Sequence, residues 1–317
     1  MASVEPITFR GQTFADDDAY FAHLIDALGF PDILDAFERD WVLSDGLRLH
    51  LDVHTHHKDA PTVVFVPGTS VYGACYAEIL FEIGRAGYNI VSLDPRGHGR
   101  SEGRRGDYTI GEIMRDVRTV VDYARSRFNA RVSLMGSSQG GIVAFYLAAE
   151  GIDVDSVICQ NFADLTWSET AELSRYPALA RVFKPVVSGL GAVVPGVRVP
   201  VASYLDLKGI RIKYFENLHR FIHDDPFTVT HISLRAARSL TTARLARRVE
   251  EIDVPILVFQ GKRDTVFPVE YTRHLYDRLT CRKAMHLYDH LNHAIMVEDV
   301  DVIKGDLIAW LDETYRG

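Results

Sequence analysis

Six short runs rich in β-branched and apolar residues constrain this chain most: residues 62–66, 89–93, 131–135, 156–160, 255–260 and 283–288. Most are too brief and too uniformly apolar to be strands with one wet face, which would alternate apolar and polar side chains. They predict a parallel sheet covered on both sides. Helical stretches separate several of them, at residues 75–86, 109–127 and 138–150, and another closes the chain at 299–315. Strand–helix alternation with right-handed crossovers gives an α/β class, a mostly parallel doubly wound sheet. Ahead of it, residues 41–43 and 47–51 flank Ser44-Asp45-Gly46, the signature of an antiparallel hairpin.

The alternation breaks between about residues 165 and 250, a stretch too long for a crossover. Trp167, Tyr176, Tyr204, Phe215, Phe221 and Phe227 lie in it. It reads as a helical insertion, a cap over the carboxyl edge of the sheet. The chain before Asp40 reads as helical, with Tyr20, Leu24, Ala27 and Leu28 on one face. The expected division is residues 1–40 as an N-terminal helical extension, 41–164 with 251–317 as the core, and 165–250 as a helical cap or lid.

Composition narrows the class. With 47% hydrophobic and 25% charged residues, 317 residues make neither a disordered nor a collagen-like chain. A net charge of −8 argues against a nucleic-acid partner, since phosphate binding needs a basic face. Cys75, Cys159 and Cys281 are odd in number and widely spaced, so neither a disulfide framework nor a zinc site is expected. No basic-then-apolar segment opens the chain, and the longest apolar run is about half of the ~20 residues a membrane span needs. A cytoplasmic protein without a transmembrane segment is the expectation.

The chemistry-bearing motif is Gly136-Ser137-Ser138-Gln139-Gly140-Gly141, between a predicted strand and a predicted helix. A Gly-x-Ser-x-Gly turn in that setting is a nucleophile elbow. It is so sharp that the serine backbone is strained, and small flanking residues let neighbouring backbone pass. The serine oxygen then stands above the sheet, and the helix N-terminus faces developing negative charge.

With this elbow the chain resembles the α/β-hydrolase superfamily, and within it the monoacylglycerol lipase/lysophospholipase-type serine hydrolases. Val66-Pro67-Gly68-Thr69 stands where the family usually has His-Gly, with Pro67 in place of the histidine. Asp94-Pro95-Arg96-Gly97-His98-Gly99-Arg100-Ser101 matches the family's Asp-x-Arg-Gly-x-Gly-x-Ser loop. Gly261-Lys262-Arg263-Asp264 and Asn292-His293 complete the match, which runs from about Trp41 to the C-terminus. The resemblance implies an α/β-hydrolase fold and a Ser–Asp–His order along the chain.

The chemistry asks for the same parts. A serine hydroxyl needs a base within hydrogen-bond reach, and the imidazole needs a carboxylate to hold its tautomer. For the nucleophile we take Ser138, for the base His293 with His290 as rival, and for the acid Asp264 with Asp164 as rival. The backbone N–H groups of Thr69 and Gln139 are the candidate oxyanion hole. No metal and no cofactor is implied. His54, His56 and His57 lack a carboxylate or cysteine at zinc-ligand spacing and read as a solvated loop.

The activity this implies is cleavage of carboxylic esters with a hydrophobic acyl group through an acyl-enzyme. The same triad would serve a thioesterase, an amidase or a carbon–carbon bond hydrolase. A reading of another class is a non-catalytic hydrolase-fold binding protein, against which all three triad positions are filled. The expected partner is a small hydrophobic ester. Weak lipid-surface contact is an open reading of the basic cluster Arg235, Arg238, Arg244, Arg247 and Arg248, which otherwise reads as a solvated face. A homodimer is an open reading of the N-terminal segment.

Overall fold

The structure is a computed structural model and describes residues 6–316 apart from 28, 30 and 214. The chain opens with β1 (Ile7–Phe9), β2 (Gln12–Phe14) and α1 (Asp17–Ala27). The core begins with β3 (Glu38–Ser44), β4 (Leu47–His54), β5 (Thr62–Val66), α2 (Ala77–Arg85) and β6 (Asn89–Leu93). It continues through α3 (Ile110–Arg127), β7 (Val132–Ser137), α4 (Gln139–Ala149) and β8 (Ser156–Gln160). Then come α5 (Pro177–Val193), β9 (Arg198–Pro200), α6 (Leu218–Asp224), β10 (His231–Ser233) and α7 (Leu234–Thr242). The chain ends with β11 (Ile256–Gly261), α8 (Val269–Asp277), β12 (Lys283–Tyr288), α9 (Ile295–Glu298) and α10 (Val300–Tyr315).

Eight strands form one sheet in the order β12-β11-β8-β7-β5-β6-β4-β3. Every pairing from β12 to β6 is parallel, and the β3–β4 hairpin joins antiparallel to β6. The four runs at 62–66, 89–93, 156–160 and 283–288 coincide with β5, β6, β8 and β12. Their composition explains why. Every residue of β5, β6, β7, β8 and β11 is buried, because helices cover both faces of a parallel sheet. α3 begins where Thr109 accepts the N–H of Glu112, an N-cap bond.

Ahead of Asp40 the structure differs from an all-helical reading. β1 and β2 form a hairpin, and β3 already starts at Glu38. Arg10 and Gly11 turn it with φ of 49° and 80°, a left-handed pair that matches strand twist. Phe9 and Phe14 then both lie against the ring of Tyr20. The helix with Tyr20 and Leu24 inward is α1; Leu28 lies outside the described residues. The 165–250 stretch holds α5, α6 and α7, and also the antiparallel pair β9–β10, which helical periodicity does not foretell.

Candidate active site

β7 delivers Ser138 into a tight turn and α4 carries the chain away. Ser138 sits at φ 53°, ψ −114°, a conformation that costs an L-residue about 1–3 kcal/mol. The flanking glycines make it attainable. A Cβ on Gly136 would stand 2.1 Å from the Gly140 carbonyl oxygen, and one on Gly140 would stand 2.0 Å from that of Val66.

The turn brings three predicted residues into one line. Ser138 Oγ lies 2.9 Å from His293 Nε2, and His293 Nδ1 lies 2.9 Å from Asp264 Oδ2. A carboxylate at Nδ1 favours the tautomer with its proton there, which leaves Nε2 to accept from the serine. The carboxylate is itself held. Its Oδ1 accepts the N–H groups of Val266 and Phe267, and its Oδ2 also accepts Asn161 Nδ2 at 3.1 Å. The Phe267 ring lies parallel to the imidazole at 5.5 Å and screens it from water. The rivals are elsewhere: His290 is exposed, and Asp164 accepts from the backbone and hydroxyl of Thr166, a turn-capping role.

The backbone N–H groups of Thr69 and Gln139 donate to no group among the described residues, and both residues border the same chamber as Ser138. Thr69 Oγ1 donates to Gln139 Oε1 at 2.8 Å, and Tyr108 OH donates to the same oxygen at 2.9 Å. The Gln139 side chain thereby ties the loop after β5 to the start of α4.

A second brace was not visible in the sequence. Gly68 N–H donates to Tyr76 OH at 3.2 Å, Tyr76 OH to Ser137 Oγ at 3.0 Å, and Ser137 Oγ to Gln160 Oε1. Gln160 Nε2 then donates to the His293 carbonyl and to Asn161 Oδ1, and Asn161 reaches Asp264. This buried chain links the loop after β5, the histidine and the acid beneath the reacting atoms. Burial pushes the Tyr76 phenol up to about 12, so it stays a neutral donor. Only the juxtaposition of β5, β7 and β8 assembles these residues, so no local motif marks them.

Two chambers meet at Ser138 and Thr69. One, of about 80 Å³, is walled by Leu24, Phe215, Leu218 and Phe221, with the Lys213–Glu78 ion pair (2.7 Å) on its lining. The other, of about 430 Å³, is walled by Ile142, Leu173, Leu179, Val187 and Leu234. Its volume is that of a small-molecule pocket and its walls are apolar.

Outside the site, Arg235 of the basic cluster pairs with Asp107 and Glu112, so it ties α7 to the core instead of facing solvent freely. Among the described residues, one group of metal-ligand type, His50, Asp52 and Asp94, has its ligand atoms within 4.8 Å of one another. Asp94 there already accepts Gly73 N–H, Arg100 N–H and His50 Nδ1, which leaves a cation little room.

The family described as serine aminopeptidase, S33, matches residues 57–300. The chain belongs to that family. This α/β-hydrolase is 27% identical over 276 residues to a monoacylglycerol lipase of Mycolicibacterium smegmatis, covering 84% of this chain and 93% of that one. A solved monoacylglycerol lipase from Paleococcus ferrophilus superposes with a TM-score of 0.69 at 21% identity, covering 84% of this chain and 99% of that chain. A soluble variant of monoglyceride lipase from Saccharomyces cerevisiae superposes with a TM-score of 0.72 at 19% identity, covering 88% and 95%. These two structures show the fold. The α/β-hydrolase chain is thus a serine hydrolase of the esterase/lipase-like kind. No helix among its described residues is long and apolar enough to cross a membrane.

Proposed function

We propose that the protein hydrolyses carboxylic esters with an apolar acyl group, through an acyl-enzyme on Ser138. The observation that carries this reading is the Ser138–His293–Asp264 line, set where two apolar-walled chambers meet. Ser138 Oγ attacks the ester carbonyl carbon and its proton passes to His293 Nε2. The oxyanion lies between the N–H groups of Thr69 and Gln139. The bond to the alcohol breaks as His293 returns the proton to the leaving oxygen. Water then attacks the acyl-enzyme carbonyl carbon and gives a proton to Nε2; the acyl–Oγ bond breaks as His293 returns that proton to Ser138 Oγ, and the carboxylic acid leaves.

Asp264 keeps the imidazole in its working tautomer and stabilises the imidazolium. Residues 165–250 act as the cap that gives the chambers much of their apolar walls. The ester reading is preferred to an aminopeptidase one because of Glu78. An α-ammonium group wants an unneutralised carboxylate, and Glu78 is already paired with Lys213.

A fluorophosphonate probe should label the wild-type protein and not Ser138→Ala, and hydrolysis of p-nitrophenyl esters should rise with acyl length. Labelling that survives in Ser138→Ala, or turnover confined to acetate, would contradict the proposal.

A further inference from the structure

One wall of the narrower chamber comes from outside the residues that the family matches. Leu24 lies on α1, well before residue 57 where the family match begins. It is 1% exposed and lines the same chamber as Ser138 and His293. We propose that Leu24 is a specificity-determining residue: the N-terminal segment closes the narrow chamber and limits the smaller arm of the ester. The inference rests on the ester reading above and adds a residue and a size rule to it.

Three sets of contacts hold Leu24 in place. Arg100, from the loop after β6, pairs with Asp17 at 2.9 Å and Asp18 at 3.0 Å, and its guanidinium lies 3.8 Å from the centre of the Phe21 ring. These bonds fix the first turn of α1 to the core, with the two acidic residues at its N-terminal end as a helix dipole favours. The Tyr20 hydroxyl then donates to Asp225, a buried carboxylate of the cap. Tyr72, from the loop that bears Thr69, donates to the same oxygen at 2.6 Å. One carboxylate therefore joins the N-terminal helix, the cap and the oxyanion loop.

Aromatic packing completes the attachment. Phe21 lies 4.7 Å from Phe227 and 5.4 Å from Tyr72, and Phe9 lies 6.3 Å from Phe215. Leu24 follows Tyr20 by four residues and shares its helix face. It is thereby aimed at the space under Phe215, Leu218 and Phe221. The chamber is about 80 Å³ against about 430 Å³ on the other side of Ser138. The substrate that fits is an ester with one bulky apolar arm and one compact arm, the compact one stopping at Leu24.

The test uses the full chain with Leu24→Ala, Leu24→Phe and the volume-conserving Leu24→Met. kcat/KM is measured on two ester series, one varying the acyl group and one the alcohol. In one series only, Leu24→Ala should raise the ratio of large to small substrates by about tenfold, the discrimination that one methylene gives in a fitted pocket. Leu24→Phe should lower that ratio, Leu24→Met should leave it near wild type, and the second series should keep its profile. Unchanged profiles in both series, or one common factor on every ester, overturn the inference. Fluorophosphonate labelling of the same preparations separates the two levels. A wild type that takes no label brings down the ester reading. A labelled wild type with Leu24 variants of unaltered preference brings down this inference alone. Should Leu24→Phe not fold, the Ala and Met variants still decide it.

Discussion

At the scale of single residues, reaction depends on atoms held to within a fraction of an ångström. Gln160 is the residue beneath the site with the most to hold, since it grips both Ser137 and the His293 carbonyl. Gln160→Leu removes both bonds and leaves the carbonyl unpaired. A small misplacement of the base costs up to about 10² in rate. We expect kcat to fall by about that factor while KM changes little, because the bonds lost hold Ser137 and the His293 backbone and not the substrate. A rise in KM with kcat intact would show that its role is substrate binding. The sequence singled out Ser138, His293 and Asp264, which the structure brings within hydrogen-bond reach of one another, because the chemistry proposed for them has few candidate side chains and a fixed chain order. Gln160, Asn161 and Tyr76 were not readable. An amide or a phenol occurs in many places, and only its neighbours give it this role.

At the scale of elements, the strands of the parallel sheet and the helices α3, α4 and α10 followed from apolar runs and helical periodicity, because the inner strands and α4 are buried throughout while α3 and α10 each bury one face. The N-terminal hairpin and the β9–β10 pair did not. Each strand there is three residues long, too short for a period-two signal. α5 is a different case. It carries Ala180 and Val187 on the larger chamber, yet Val182, Val186, Leu190 and Val193 are exposed, so apolarity alone does not name its inner face. Two variants test packing at this scale. Gly140→Ala drives a Cβ into the Val66 and Pro67 carbonyls, both backbone atoms that have little room to yield. It should lower the melting temperature sharply and abolish probe labelling. Tyr20→Phe leaves the buried Asp225 with one fewer donor, at a cost of about 1.5–3 kcal/mol in urea unfolding. Amide exchange in α6 should quicken in that variant, because the helix runs directly into Asp225.

At the scale of the whole molecule, two buried histidines shape stability against pH in opposite directions. Burial lowers the His98 imidazole to about 4, so the native state keeps it neutral. Between pH 6.5 and 4 the unfolded chain binds a proton that the folded one refuses, so stability is complete above 6.5 and declines as pH falls. The loss amounts to ~3 kcal/mol once pH is below 4. His50 does the reverse. Burial pulls its pKa down, but Asp94 and Asp52 outweigh that and raise it. Its contribution is whole below 6.5 and fades as pH rises through the raised value. Thermal melts from pH 4 to 8 should therefore show a flatter acid limb for His98→Asn than for wild type. Parallel acid limbs would rule out the His98 assignment.

The sequence by itself determined the sheet, its covered faces, the elbow and the three residues most suited to its chemistry. Those are local patterns or fixed chemical needs, and a run of apolar residues carries its own burial preference wherever it lies. Tertiary structure alone decided what surrounds them: the amide chain under His293, the clasp between Thr69 and Gln139, and the arrival of α1 beside Asp225 and Phe227. Each of these joins residues far apart in the chain, Tyr20 with Asp225 and Gly68 with Gln160 among them. A hydrogen bond of that kind is specified by the packing of several elements at once, and no window of neighbouring residues contains it.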